Sequence, residues 1–89
     1  MNTFVFTKSA QKQFLSISSL AQTQIKAKLG LLKNYPDIIK IMKPLHNLEP
    51  ATHRLRIGAY RLLLCLKSSH QNDQEFWILK IGHRKDVYK

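Results

Sequence analysis

The last third of the chain decides the fold. It reads His53-Arg54-Leu55-Arg56-Ile57-Gly58-Ala59-Tyr60-Arg61-Leu62-Leu63-Leu64 and, after a polar stretch, Phe76-Trp77-Ile78-Leu79-Lys80-Ile81-Gly82-His83-Arg84-Lys85-Asp86-Val87-Tyr88-Lys89. The residues from Arg54 to Ile57 alternate between polar and apolar, which is the period of a half-buried strand. A second run of strand-forming residues begins at Tyr60. The two residues between these runs, Gly58 and Ala59, suit a type II′ turn, which accepts glycine at its first central position. The stretch therefore predicts an antiparallel hairpin.

This turn fixes the register of the predicted hairpin. The facing pairs are Ile57 with Tyr60, Leu55 with Leu62, and Arg56 with Arg61. Because alternate residues point to opposite faces of a strand, Arg54, Arg56 and Arg61 should share one face and the apolar residues the other. Like charges that face each other are destabilising, and neither strand carries an acid. A bound phosphate would offset the repulsion, since guanidinium groups match phosphate oxygens in pairs. We predict an anion site, and the alternative is an exposed sheet face with solvated charges.

Size and charge narrow the class of protein. The chain has 89 residues, 44% of them hydrophobic, which predicts one domain over residues 1–89. Fifteen Lys and Arg oppose five Asp and Glu, giving a formal net charge of +10. Nucleic acid, an acidic protein or an anionic membrane surface are the natural partners of such a chain. The membrane is the least favoured, because the basic residues do not follow one amphipathic helix and no apolar stretch could span a bilayer.

Cysteine and histidine usage predicts a cytoplasmic protein without a metal. The single cysteine, Cys65, lies in an apolar run and is expected to be a core residue in a reducing compartment. No signal peptide is visible at the start of the sequence. The four histidines at positions 46, 53, 70 and 83 are scattered, without the close spacing of metal ligands. We therefore predict no metal and no cofactor.

The first half predicts a strand followed by two helices. Thr3 to Phe6 reads as a strand, and Thr7 can cap a helix that carries Ala10, Phe14 and Ile17 at helical spacing. Ser19 to Gln22 fits a capping box for a second helix over residues 20–33, which ends before Pro36. We expect the two helices to form an antiparallel hairpin on one face of the sheet.

The rest of the chain predicts an irregular crossover and a last strand. Residues 37–52 contain Pro44 and Pro50, which rule out a long element. Residues 68–74 are polar and read as a loop, and residues 75–81 as a strand. Simple alternation places Phe76, Ile78 and Lys80 together, and we assign that side to the arginine face. The predicted fold class is α+β, a small antiparallel sheet with a mixed edge, in the order β-α-α-β-β-β.

Two motifs in the last third resemble a known family. Leu55-Arg56-Ile57-Gly58-Ala59-Tyr60-Arg61 and Ile81-Gly82-His83-Arg84-Lys85-Asp86-Val87-Tyr88 resemble the RelE branch of the RelE/ParE toxin superfamily. The element order is also similar. The resemblance implies the toxin of a type II toxin–antitoxin pair, silenced by a cognate antitoxin. It implies a metal-free endoribonuclease that cleaves mRNA in the ribosomal A site, where the 2′-OH of the RNA attacks the adjacent phosphate.

The resemblance also implies roles for particular residues. Arg54 and Arg61 match the phosphate-stabilising residues, and Arg84 matches the arginine that contacts the scissile phosphate and can act as the acid. Tyr88 matches the tyrosine that serves as the base or positions the attacking hydroxyl. His83 is left with two alternatives, proton transfer at its near-neutral pKa, or orientation and packing. The further residues predicted to bind RNA phosphates are Arg56, Lys80 and Lys85.

Two other functions remain open from the sequence. A ParE-like protein shares the fold and inhibits gyrase without cleaving RNA, but that branch usually lacks the basic cleavage set that Arg54, Arg61, Arg84 and Tyr88 make up here. An inactive relative would be a nucleic-acid-binding or repressor module. The complete motif favours the ribonuclease over both.

Overall fold

The computed structural model describes residues 1–71 and 73–87. Its elements are β1 (Asn2–Phe6), α1 (Lys8–Ser16), α2 (Ser19–Leu32), a 3₁₀ helix (Ile38–Ile41), β2 (Lys43–Pro44), β3 (His53–Ile57), β4 (Tyr60–His70) and β5 (Asp73–His83). Within this described part, five strands form one sheet in the order β1-β5-β4-β3-β2. β1 runs parallel to β5, and the other neighbours are antiparallel. The predicted α+β class with a mixed edge is confirmed.

Both helices start with side-chain caps and bury one side against the sheet. The Thr7 hydroxyl accepts from the Ala10 amide and donates to the Ile78 carbonyl, so it joins α1 to β5. The cap of α2 is Ser18, which accepts from the Ala21 amide. The predicted capping box at Ser19 is therefore wrong by one residue. The buried helix residues are Ala10, Phe14, Ala21, Ile25, Leu29 and Leu32.

The end of α2 is fixed by a buried side chain of β1. Asn2 is 3% exposed, and its amide group donates to the carbonyls of Leu32 (2.8 Å) and Tyr35 (3.0 Å). The last carbonyls of a helix lack partners within the helix, and the Leu32 carbonyl accepts from both the Asn2 side chain and the Tyr35 amide (3.2 Å). This contact ties the edge strand to the helices.

The crossover contains more order than the sequence predicts. Met42 follows the 3₁₀ helix and is buried, and Lys43–Pro44 pairs with Arg54 and His53 at the sheet edge. The Thr52 hydroxyl accepts from the Leu66 amide at 2.8 Å, and the Thr52 amide donates to the Leu64 carbonyl at 2.8 Å. These bonds extend the pairing along β4 beyond the start of β3.

The predicted hairpin register is confirmed. Its observed pairs are Ile57 with Tyr60, Leu55 with Leu62, and Arg56 with Arg61. Gly58 has φ +58°, and Ala59 is not among the described residues with positive φ, which is the combination a type II′ turn requires. Leu55 and Ile57 are buried under the helices, so the arginines project from the other face.

The predicted loop at residues 68–74 is wrong. β4 continues to His70 and β5 begins at Asp73, with Ser68, Ser69 and His70 paired to residues of β5. Backbone hydrogen bonds need no apolar side chains, so a ladder can run past the edge of the core. The polar side chains of this segment indicate that it is exposed to solvent, but they do not indicate whether its backbone is paired.

A β-bulge at Leu79 changes the face of the residues that follow it. Ile78 pairs with Leu64, but Lys80 pairs with Leu63, so Leu79 is an extra residue on β5. Phe76 and Ile78 are fully buried under the helices, and the prediction that they lie on the arginine face is wrong. Lys80 does lie on that face, because the bulge reverses the alternation.

Two apolar clusters hold the sheet. The main core lies between the helices and one sheet face. A second, small cluster of Ala51, Leu63 and Val87, with Leu45 and Leu79 packed against it, lies on the opposite face. Among the helices of residues 1–71 and 73–87, none has the length and apolarity to span a bilayer.

Candidate nucleic-acid interface

The sheet face away from the helices carries basic side chains in two adjacent rows. The first row is Arg54 on β3, Leu63 on β4 and Lys80 on β5, and the second is Arg56, Arg61 and Gly82. Directly opposite residues of antiparallel strands have Cα atoms roughly 4.5–5.5 Å apart. Four cationic side chains therefore project from one small area of the sheet, namely those of Arg54, Arg56, Arg61 and Lys80. We call this area the arginine face.

Arg61 is the most enclosed of these cations. Its side chain is 8% exposed, and its Nη1 donates to the carbonyls of Gly58 (3.3 Å) and Tyr60 (3.2 Å). The guanidinium is thus held against the β3–β4 turn before any ligand arrives. Arg56 lies directly across from it and is exposed. The sequence predicts this like-charge pair, and the structure contains it.

The residues after β5 fold back onto the arginine face. The amides of Asp86 (2.8 Å) and Val87 (3.0 Å) donate to the His83 carbonyl, which closes a turn. A Cβ on Gly82 would stand 3.2 Å from the Cα of Val87, so the returning chain lies directly over Gly82. Since Gly82 is opposite Arg61, this turn passes beside the buried guanidinium.

Arg84 and Lys85 are exposed on this turn, next to the hairpin. The Arg84 amide donates to the Ala59 carbonyl at 2.8 Å, which joins the terminal turn to the β3–β4 turn. The structure thus brings the turn that carries Arg84 and Lys85 close to Arg61. Tyr88, predicted to be the base or to position the attacking hydroxyl, lies outside the described residues and directly follows Val87 in the sequence.

His83 lies on the other side of the sheet from the arginines. It is opposite Tyr60, and the two rings meet edge to face at 5.9 Å. Tyr60 packs against the main core, so its partner His83 faces the helices. Nδ1 of His83 accepts from the Lys85 amide at 3.3 Å. This geometry favours the orienting and packing role of the two alternatives.

The sequence prediction missed Gly82 and Val87 as parts of the site. Both lie within the second motif, but only the fold shows that they contact each other. A glycine at the end of a strand is the one available signal, because such a residue often marks a close backbone approach. In the described ranges, 1–71 and 73–87, no three His, Cys, Asp or Glu side chains cluster as metal ligands do.

The fold is similar to that of chains in two RelBE toxin–antitoxin complexes. A chain of the RelBE2 toxin–antitoxin complex of Mycobacterium tuberculosis superposes with a TM-score of 0.73 at 25% identity, over 92% of this protein and 96% of that chain. A chain of the intact Escherichia coli RelBE complex has the same fold, with a TM-score of 0.63 at 18% identity over 91% and 94%. The resemblance drawn from the two motifs is thereby confirmed.

The sequence comparisons give no further relative. No model of a known protein family matches the chain, and a search of curated proteins finds no match. The similarity to RelE-like toxins therefore comes from the three-dimensional fold together with the two motifs.

Proposed function

We propose that the protein is the toxin of a type II toxin–antitoxin pair and an endoribonuclease that cleaves mRNA in the ribosomal A site. The observation that carries this proposal is the arginine face, where Arg61 is buried beside a turn that bears Arg84. The RelE-like fold supports the class, and the density of cations on one sheet face supports an RNA phosphate as the ligand.

The proposed reaction needs three groups. A base removes the proton of a 2′-OH, the oxygen attacks the adjacent phosphorus, and the bond to the 5′ oxygen breaks as an acid protonates it. The products are a 2′,3′-cyclic phosphate and a 5′-OH end. Negative charge grows on the phosphorane in between, and fixed cations in a water-poor site stabilise it most.

We assign these tasks to residues on or beside the arginine face. Arg61 stabilises the phosphorane, because its guanidinium is already held by two carbonyls and needs little reorganisation. Arg54 and Lys80 lie in the neighbouring row, on either side of Leu63, and hold adjacent phosphates. Arg84 contacts the scissile phosphate and protonates the leaving oxygen. Tyr88 is the proposed base.

His83 is proposed as an orienting residue. Its ring contacts Tyr60 on the helix side of the sheet, and its Nδ1 holds the Lys85 amide. Both contacts fix the start of the terminal turn. His83→Gln should therefore reduce cleavage less than Arg84→Ala does.

The test is cleavage of a defined mRNA on ribosomes, with the ends mapped by primer extension. Arg84→Ala is the cleanest variant, since Arg84 is exposed and its loss should not affect folding. Arg61→Ala removes a buried side chain, so its fold is checked by circular dichroism. Lys12→Ala is the matched control, because it removes an equal charge from the exposed side of α1.

Cuts at A-site codons that persist in Lys12→Ala and disappear in both arginine variants would support the nuclease. Absence of cuts from folded wild-type protein would contradict it. Inhibition of gyrase supercoiling would then identify the ParE-like function, and RNA binding without either activity the inactive binding module.

We also propose a cognate antitoxin with an acidic segment as the protein partner. The net charge of +10 favours such a segment electrostatically, and exposed charges are screened by salt. The affinity of the antitoxin should fall as the salt concentration rises. An affinity that stays constant between low and high salt would contradict the electrostatic part of this proposal.

A further inference from the structure

Trp77 is an exposed aromatic residue on the same sheet face as the arginines. It is 37% exposed and pairs with Cys65 on β4 and Val5 on β1. Its neighbours along the strand, Phe76 and Ile78, are fully buried on the helix side. Strand alternation therefore directs the indole to the face that carries Arg54 and Arg61. No step of the proposed reaction uses it.

The indole is held in one orientation by its neighbour on the strand. Nε1 of Trp77 donates to Oε2 of Glu75 at 2.8 Å. Because this bond satisfies the only polar group of the ring, the rest of the exposed surface is apolar. Exposed Val5 (38%) borders it on the edge strand. Together these residues form a small apolar surface at one end of a strongly basic face.

A movable cation lies over the ring. Nζ of Lys67 is 4.7 Å from the ring centroid, and Lys67 is exposed. An exposed cation–π contact changes an equilibrium by about two- to fivefold. A nucleobase stacked on an aromatic side chain contributes about five- to 150-fold in affinity. A base can therefore displace the Lys67 ammonium from the ring, and the ammonium can move to the phosphate of the same nucleotide.

From this arrangement we propose that Trp77 is a stacking platform for an unpaired base of the RNA substrate, with Lys67 binding the adjoining phosphate. The proposal rests on the proposed RNA-binding function of the arginine face. Trp77 pairs with Cys65, which is four residues along β4 from Arg61, and this spacing corresponds to about 13 Å at ~3.3 Å per residue. The stacked base is therefore distant from the bond that breaks, and Trp77 acts in binding and not in the chemical step.

The charges beside Trp77 determine the path of the bound RNA strand across the sheet. The carboxylate of Glu75 repels phosphate, whereas Lys67 attracts it, so the RNA backbone passes on the Lys67 side of the ring. From there it reaches Lys80 and Arg54, which flank Leu63 in the first row of the arginine face. A single strand suits this path because its bases are free to stack on protein side chains.

Trp77 is the only tryptophan of the chain, so its fluorescence reports this site alone. A single-stranded RNA with 2′-O-methyl groups serves as the probe, because it cannot supply the attacking hydroxyl. We expect saturable quenching of Trp77 on titration. Trp77→Leu should bind the probe at least about fivefold more weakly, and Trp77→Phe, which keeps an aromatic ring, within about threefold of wild type. Binding of these variants is followed by the anisotropy of a labelled probe, and their folding by urea denaturation.

Binding without quenching, or a Trp77→Leu variant that binds as tightly as wild type, would overturn the proposal. Loss of antitoxin binding with unchanged RNA affinity in Trp77→Leu would assign the surface to the protein partner and overturn it too. The ribosome assay separates this result from the nuclease proposal. Quenching without cleavage would support the stacking role of Trp77 and contradict the nuclease proposal. Arginine-dependent cleavage without quenching would support the nuclease and contradict the stacking role.

Discussion

Gly82 and Val87 are in contact across the terminal turn, with the Cα of Val87 3.2 Å and its Cβ 3.4 Å from the point where a Cβ on Gly82 would stand. Both distances are at or below ordinary van der Waals contact. The neighbour is backbone, which cannot move without moving the whole turn. The turn that carries Arg84 thus lies against β5 because residue 82 has no side chain.

Replacement of Gly82 by alanine should separate the turn from the sheet. The added methyl group requires Val87 to shift, and overpacking of this kind costs about 1–3 kcal/mol. We expect Gly82→Ala to lower the free energy of unfolding by about that amount, measured with urea. Cleavage in the ribosome assay should fall at least about tenfold, the effect of a barrier increase of ~1.4 kcal/mol.

Gly30→Ala is the matched control for this change. A Cβ on Gly30, in the interior of α2, would have no heavy atom within 4 Å. Alanine stabilises a helix interior by about 0.5–1 kcal/mol relative to glycine, so this variant should be more stable and equally active. A Gly82→Ala protein that matched wild type in both stability and cleavage would contradict the proposed role of the close contact.

Arg56 and Arg61 should be coupled unfavourably. They are directly opposite on β3 and β4, where a like-charge pair destabilises by roughly 0.2–1 kcal/mol. A double-mutant cycle with Arg56→Gln and Arg61→Gln, followed by urea denaturation, measures this coupling. It should be largest at low ionic strength and shrink as salt screens the charges. A favourable coupling at low salt would show that the two side chains do not repel each other.

The salt dependence of RNA binding should identify phosphate contacts on the terminal turn. Each contact to single-stranded nucleic acid contributes about −0.7 to the slope of log K against log salt. Lys85→Ala should make the slope less steep by about that amount, as measured by anisotropy titrations. Lys12→Ala, on the helix side, should leave the slope at its wild-type value. Equal slopes for wild type and Lys85→Ala would exclude Lys85 from phosphate binding.

His53 should make the protein less stable in mild acid. Burial lowers the pKa of His53 from its usual 6.5, and the ring lies edge-on to Phe76 with Nδ1 2.9 Å from the Thr52 hydroxyl. The unfolded chain therefore takes up a proton near pH 6.5 that the folded chain takes up only at lower pH. The stability that depends on neutral His53 is complete above pH 6.5 and is lost as the pH falls towards the folded pKa.

Urea denaturation between pH 7.5 and 5 measures this loss. His53→Gln should flatten the pH profile of the unfolding free energy over that interval. His46→Gln, a substitution at an exposed position of the crossover, is the control and should keep the wild-type profile. If the two variants gave the same profile as wild type, His53 would not be the group responsible.

The hairpin of β3 and β4 was predictable because the residues that determine it are close together in the sequence. The turn dipeptide Gly58-Ala59 and the alternation on either side fix the register without reference to any other element. The three arginines follow from that register, and so does their common face. The predicted helices follow from apolar spacing in the same way, with an error of one residue at the cap of α2.

The features that were not predicted depend on contacts between distant residues. Nothing near Asn2 in the sequence indicates that its amide group reaches the end of α2. The bulge at Leu79 arises from the pairing of two whole strands, and it alone decides which side of the sheet Lys80 takes. The separation of His83 from Arg61 follows from the pairing of Gly82 with Arg61, because the next residue along a strand points to the opposite face.

The bulge at Leu79 divides β5 into two segments whose alternation between the two sheet faces is out of phase. Before it, Phe76 and Ile78 are buried under the helices; after it, Ile81 is buried there and Lys80 lies on the arginine face. An extra residue between the segments decouples their alternation. Both segments therefore keep one side in the core and the other on the arginine face, so the residues of the arginine face can be redesigned on either side of the bulge while the packing of the helices stays as it is.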